Sequence, residues 1–122
     1  MACKDASKFV GVLFVSRNVA HQMHLKTDSY AQHKALEEFY TQIIDLADAF
    51  AEQFQGKYNE LLDIPFLSVK EESPVKYFED TLKYVENNRY KVCDKECTSL
   101  QNIIDEIEGL IQSTLYKLRR LK

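Results

Sequence analysis

Residues that end a helix are scarce in this chain, which has three glycines and two prolines among 122 residues. With so few breakers, long helices are the expected outcome, and the apolar residues recur at helical spacing along most of the sequence. The first expected helix, A, covers about 5–25. Its Phe9, Val10, Val12, Leu13, Phe14, Val15, Val19, Ala20 and Met23 spread around most of the circumference, the pattern of a segment buried on more than one side. After a turn around Lys26 to Asp28, Ser29-x-x-Gln32 has the form of a capping box that opens helix B, about 29–56. Leu36, Phe39, Tyr40, Ile43, Ala47, Phe50 and Phe54 form its apolar stripe, and Gly56 closes it.

A connection over 57–73 contains Leu61, Leu62, Ile64, Pro65, Phe66 and Leu67. It is too apolar for a free linker and is expected to pack as a short helix. Ser73 as N-cap and Pro74 at N1 open helix C, about 74–88, with Val75, Phe78, Leu82 and Val85 on one face. Helix D, about 94–121, carries Leu100, Ile103, Ile104, Ile107, Leu110, Ile111, Leu115 and Leu118, with Thr98-x-x-Gln101 near its start. Short, long and short connections predict one all-α domain over 1–122, a four-helix bundle with a long crossover between helices B and C.

The remaining composition bounds function. With 45% hydrophobic residues the chain has material for a core. A net charge of -3 argues against a protein dominated by phosphate contacts. The apolar run Phe9 to Val15 is too short to span a bilayer and is followed by Arg17, so no signal peptide or membrane span is expected and the cytoplasm is the expected compartment. Three cysteines, Cys3, Cys93 and Cys97, do not suggest a disulfide framework. Cys93-x3-Cys97 could hold a metal or oxidise together, but no nearby third ligand completes a zinc set.

The chemistry-bearing residues gather early. All three histidines, His21, His24 and His33, precede a row of carboxylates at helical spacing, Glu37, Asp48 and Glu52. Imidazole and carboxylate together suit iron or zinc. His33 and Glu37 stand one turn apart on helix B, as do Asp48 and Glu52. The two pairs lie about 22 Å from one another along the axis, so one chain cannot close one site from both. A two-fold dimer with antiparallel helices can, placing His33 and Glu37 of one copy against Asp48 and Glu52 of the other. A di-iron site inside one bundle would need Glu-x-x-His on two helices, and no histidine follows His33. His24 reads either as a spare ligand or as a hydrogen-bonded interface histidine.

The register His, eleven residues, His, three residues, carboxylate, ten residues, Asp, three residues, Glu runs through His21, His33, Glu37, Asp48 and Glu52. Ala20 before His21, the stretch Asp48-Ala49-Phe50-Ala51-Glu52 and Gly56 complete the frame. In this the chain resembles the Dps (DNA-binding protein from starved cells) branch of the ferritin-like superfamily, over about residues 9–56. The resemblance implies a ferritin-like four-helix bundle with metal ligands His21, His33, Glu37, Asp48 and Glu52. It implies oxidation of ferrous iron, with zinc as a surrogate, by peroxide or dioxygen at inter-subunit sites. It also implies iron storage in a homo-oligomer, a dimer at least and a dodecameric shell in the family, and protection from oxidative stress.

The family carries Asp where Glu37 stands and Trp where Gln22 stands, leaving Tyr30 or Tyr40 to take the part of that aromatic. Nucleic-acid binding would rest on the basic run Lys117 to Lys122 with Lys4 and Lys8, although cations in a last turn more often complement the helix dipole. Two further expectations are a non-catalytic helical interaction module and a metal-binding protein without turnover.

Overall fold

Leu36, Phe39, Ile43, Ala47, Phe50 and Phe54 are all buried, and their spacing of three or four residues draws one continuous stripe down the longest helix. The structure, a computed structural model, describes residues 3–122. It holds four helices, α1 (Cys3–Lys26), α2 (Tyr30–Tyr58), α3 (Pro74–Val92) and α4 (Thr98–Arg120). No strand occurs among the described residues. None of the helices is long and apolar enough to cross a membrane.

α1 packs against α2 and α3, and α4 packs against the same two. α1 and α4, like α2 and α3, make no comparable contact, so the helices form a square with those pairs on the diagonals. The core between them is largely aromatic. Phe9 of α1 meets Phe50 of α2 with ring centroids 5.0 Å apart, and Phe39 meets Phe78 of α3 edge-on at 4.7 Å. Each such ring buries a large apolar area, and tilted or edge-on pairs add about 0.5–1.5 kcal/mol beyond that burial.

Local chemistry sets the ends of the helices. Ser29 Oγ accepts from the Gln32 amide and Ser73 Oγ from the Lys76 amide, with Pro74 just inside α3, as the sequence leads one to expect. Only half of the capping box forms, because the Gln32 side chain accepts from Thr27 Oγ1 instead of returning to Ser29. Gly56 does not stop α2, which runs on to Tyr58 and ends where Asn59 turns left-handed at φ 52°. α3 continues past Asn88 to Val92, and α4 starts at Thr98 with Cys97 as an N-cap that makes no side-chain hydrogen bond. Gln101 works for the neighbouring helix: its Nε2 donates to the carbonyls of Arg89, late in α3, and of Cys93, its C-cap. Arg89 returns the contact, donating to Gln101 and to Asp105 at 2.6 Å.

The largest departure lies in the connection. Residues 59–73 form no helix. The segment runs extended along α1, with Asp63 N bonded to Ser7 Oγ, Pro65 against Gly11, and Lys26 3.4 Å from Glu71. Pro65 lacks the amide a helix needs. Leu62, Ile64 and Leu67 turn inward while Leu61, Asp63 and Phe66 face solvent, which is close to the two-residue alternation of extended chain. Gly11 permits the approach: a Cβ there would meet Pro65 O at 3.1 Å and Leu67 Cδ1 at 3.3 Å.

Two measurements check this account. Gly11→Val should lift the segment off α1, accelerating proteolysis within 61–69 while helicity by circular dichroism stays unchanged, at a cost of about 1–3 kcal/mol. Cys93 and Cys97 are buried, and burial pushes the Cys93 thiol up to about 11 from 9.0. The neutral thiol is therefore the folded form, its contribution to stability is whole below pH 9, and it is lost as pH rises toward about 11. A disulfide reagent at pH 8 should modify Cys3 first and reach the other two only on unfolding.

Candidate metal centre

α1 and α2 are joined by three residues, Thr27 to Ser29. So short a turn sets the last turn of α1 against the first turn of α2, and His24 meets His33 across the hairpin. The last carbonyls of α1 have no partner within their own helix. One of them, His24 O, accepts from His33 Nδ1 at 2.8 Å. The reciprocal bond joins His24 Nδ1 to His33 O at 2.7 Å. The two rings stack with centroids 3.5 Å apart and planes inclined by 19°.

These bonds determine the tautomers. A carbonyl oxygen only accepts, so each Nδ1 carries a proton, and in the neutral ring the lone pair is on Nε2. A histidine whose Nδ1–H is held by a carbonyl while Nε2 stays basic is oriented as a metal-bound imidazole is. Glu37, one turn beyond His33, brings its carboxylate into the group, and one ligand atom from each of His24, His33 and Glu37 lies within 4.8 Å of the others. His24 is buried, while His33 and Glu37 are half-buried. Lys34 Nζ lies 3.4 Å from Glu37 Oε1, supplying a counter-charge that an arriving cation would displace.

The other expected ligands stand apart from this group. His21 stacks on Tyr40 with centroids 4.4 Å apart, and the Arg17 guanidinium lies 5.6 Å from the same ring centre. Its ring centroid is 6.0 Å from that of His24. Asp48 and Glu52 are exposed farther along α2, beyond reach of His33 in the same chain, as the helical rise requires. Tyr40 also meets His24 edge-on at 5.3 Å, whereas Tyr30, largely exposed, lies farther off with its ring 6.4 Å from that of His33. Of the basic tail, Lys117 pairs with Glu38 at 2.7 Å and Arg119 with Glu79 at 2.6 Å.

The single-chain group was not in view from spacing along α2 alone. Its signal was the three-residue turn, which brings the last turn of α1, with His24, against the first turn of α2, with His33. Two imidazoles and a carboxylate suit a first-row divalent ion such as ferrous iron or zinc.

Removing either ring should uncap the hairpin. His33→Ala or His24→Ala, each without added metal, should lower stability by about 1–3 kcal/mol. The double variant should show a coupling of about 0.5 kcal/mol or more in denaturant titration. Additive losses would mean that the two rings do not act together.

Comparison with known proteins places most of this chain within one family. Residues 24–118 match DUF5856, a family of unknown function. The chain is also 29% identical over 119 residues to an uncharacterized 14.6 kDa protein of the mobD-ri intergenic region of Enterobacteria phage T4, across 93% of this chain and 87% of that protein. No solved structure matches it. The chain belongs to the DUF5856 family.

Proposed function

We propose that this DUF5856 protein binds a first-row divalent metal ion at the turn end of its α1–α2 hairpin, through His24, His33 and Glu37. The observation that carries the reading is the reciprocal pair of bonds from Nδ1 to carbonyl. It orients two imidazoles, one nitrogen of each lying within 4.8 Å of a Glu37 carboxylate oxygen. Iron is the ion we favour, with zinc as a surrogate, because His21, His33, Glu37, Asp48 and Glu52 keep the register of the Dps-like ferroxidases.

On that reading ferrous iron is a substrate. His33 and Glu37 of one copy, joined by His21 once it leaves Tyr40, would face Asp48 and Glu52 of a second copy in a dimer or larger homo-oligomer. Two ferrous ions would give one electron each to a peroxide, whose oxygens leave as water after taking up protons; dioxygen is the other oxidant the chemistry allows. Carboxylates favour the ferric product, so Asp48 and Glu52 are the residues on which turnover depends. Storage of the oxidised iron and protection against oxidative damage would follow from assembly.

A second reading, metal binding without turnover, is favoured by the fact that His24, His33 and Glu37 all come from one chain. Such a site needs no second copy.

The test is anaerobic titration with ferrous iron followed by peroxide, with native mass measured alongside. Glu37→Gln should weaken binding by at least about tenfold, a loss seen even for residues that only orient ligands. Glu52→Ala should keep binding by the single-chain group but lose ferric formation. Unchanged oxidation in Glu52→Ala would remove the two-copy ferroxidase, whereas iron bound by the wild-type chain without ferric formation would leave the non-catalytic site. No uptake by the wild-type chain would remove both.

A further inference from the structure

The stacked histidines hold an internal contradiction as a chelate. An imidazole lone pair lies in the plane of its ring, and a metal ion sits on that line at about 2.0–2.1 Å from nitrogen. The His24 and His33 rings are stacked 3.5 Å apart and nearly parallel, so their planes meet only far beyond that bond length. No ion can lie in both planes while the stack persists. An ion held by His33 and Glu37 alone leaves the stack intact; an ion held by all three residues requires one ring to turn.

Resting on the metal-binding reading above, we propose that uptake of a divalent ion by His24, His33 and Glu37 breaks the His24–His33 stack and uncaps the C-terminal end of α1, making the hairpin turn a metal-sensitive joint. His33 is the ring that turns. It is the less buried of the two and stands one turn from Glu37 on the same helix, so rotation toward the carboxylate keeps its ligand partner close. His24 is packed against Tyr40 and is buried, and it stays.

When His33 turns, its Nδ1 leaves His24 O, and a carbonyl in the last turn of α1 loses its partner. The neighbouring tie in that turn is the bond from Thr27 N to Met23 O at 3.1 Å. Among the described residues, the ion pair between this end of α1 and the segment leading into α3 is the exposed Lys26–Glu71 contact. The effect is the reverse of ordinary ligand protection, since binding loosens the backbone beside the site.

The experiment uses the full chain, labelled with nitrogen-15 and titrated with zinc as a diamagnetic probe. Calorimetry reports binding and amide hydrogen exchange reports the turn. Saturating zinc should speed exchange at Lys26 and Thr27 by roughly five- to tenfold, the change expected from losing one ordinary hydrogen bond. The amides of the buried stripe in α2 should be unaffected. Long-range imidazole spectra should show both rings protonated at Nδ1 before zinc, and nitrogen shifts on both His24 and His33 after it.

Glu37→Gln, which leaves the stack untouched, should keep the slow exchange of the free protein and lose the response to zinc. His33→Phe should show fast exchange at Thr27 without any metal. Zinc bound with exchange unchanged or slowed would overturn the joint and leave a two-donor site on α2. Absence of zinc binding in calorimetry would overturn the metal-binding reading itself, and the joint with it.

Discussion

The rotational setting of α2 is the constraint from which the site follows. Its buried residues, from Leu36 to Phe54, define a single inward line, and turning the helix by even one residue would expose several phenylalanines. Full burial of each such side chain contributes about 1.5–3 kcal/mol, so the setting is stiff. With that line fixed against the core, His33 and Tyr40 fall on the flank that meets α1. Glu38 and Gln42 fall on the flank that meets α4, where Lys117 bonds Glu38. Lys34 and Glu52 are left outward. Nothing in the ligand residues themselves sets these directions; the phenylalanines do.

Against that stiff frame, the hairpin end is held by small forces. The exchange of hydrogen bonds between His24 and His33 is worth about 1 kcal/mol per bond. The Lys26–Glu71 pair is exposed at 70% and 87% of its side chains and adds little. A few kcal/mol of ion binding can rearrange contacts of that size, but it cannot move the aromatic core. Chemistry at this end of the molecule can thus alter the turn and leave the bundle standing, which is the separation a binding joint needs.

Helix content and the succession of four helices were open to reading because they depend on local signals. The period of three to four residues, Ser29, Ser73 and Pro74 each act within one turn of chain. The misread parts depend on partners distant in sequence. Apolar residues in 59–73 signalled packing correctly but not conformation, since their alternation about Pro65 serves an extended chain whose amides are satisfied by Ser7 and Gln55. Gln101 has the spacing of a capping residue for its own helix, yet it spends its amide on α3. The ligand group was half legible. His33 and Glu37 share a helix and announce themselves by spacing, whereas His24 joins them only through the geometry of the turn.

The choice of third donor separates the two chemistries proposed for this hairpin. His33 and Glu37 are common to both. Completed by His24, the set has two neutral imidazoles and one carboxylate, which holds a divalent ion without strongly favouring its oxidation. Completed by Asp48 and Glu52 of another copy, it has three carboxylates, and hard anionic oxygens stabilise the ferric state. His24 stays stacked under His33 in the single chain, so a second copy would meet His33 with its Nδ1 already committed to His24 O and only Nε2 free to bind. Pairing of chains and the stack are therefore compatible, whereas closing the site within one chain and keeping the stack are not. Whether the turn loosens when metal binds thus distinguishes a site completed within the chain from one completed by a second copy.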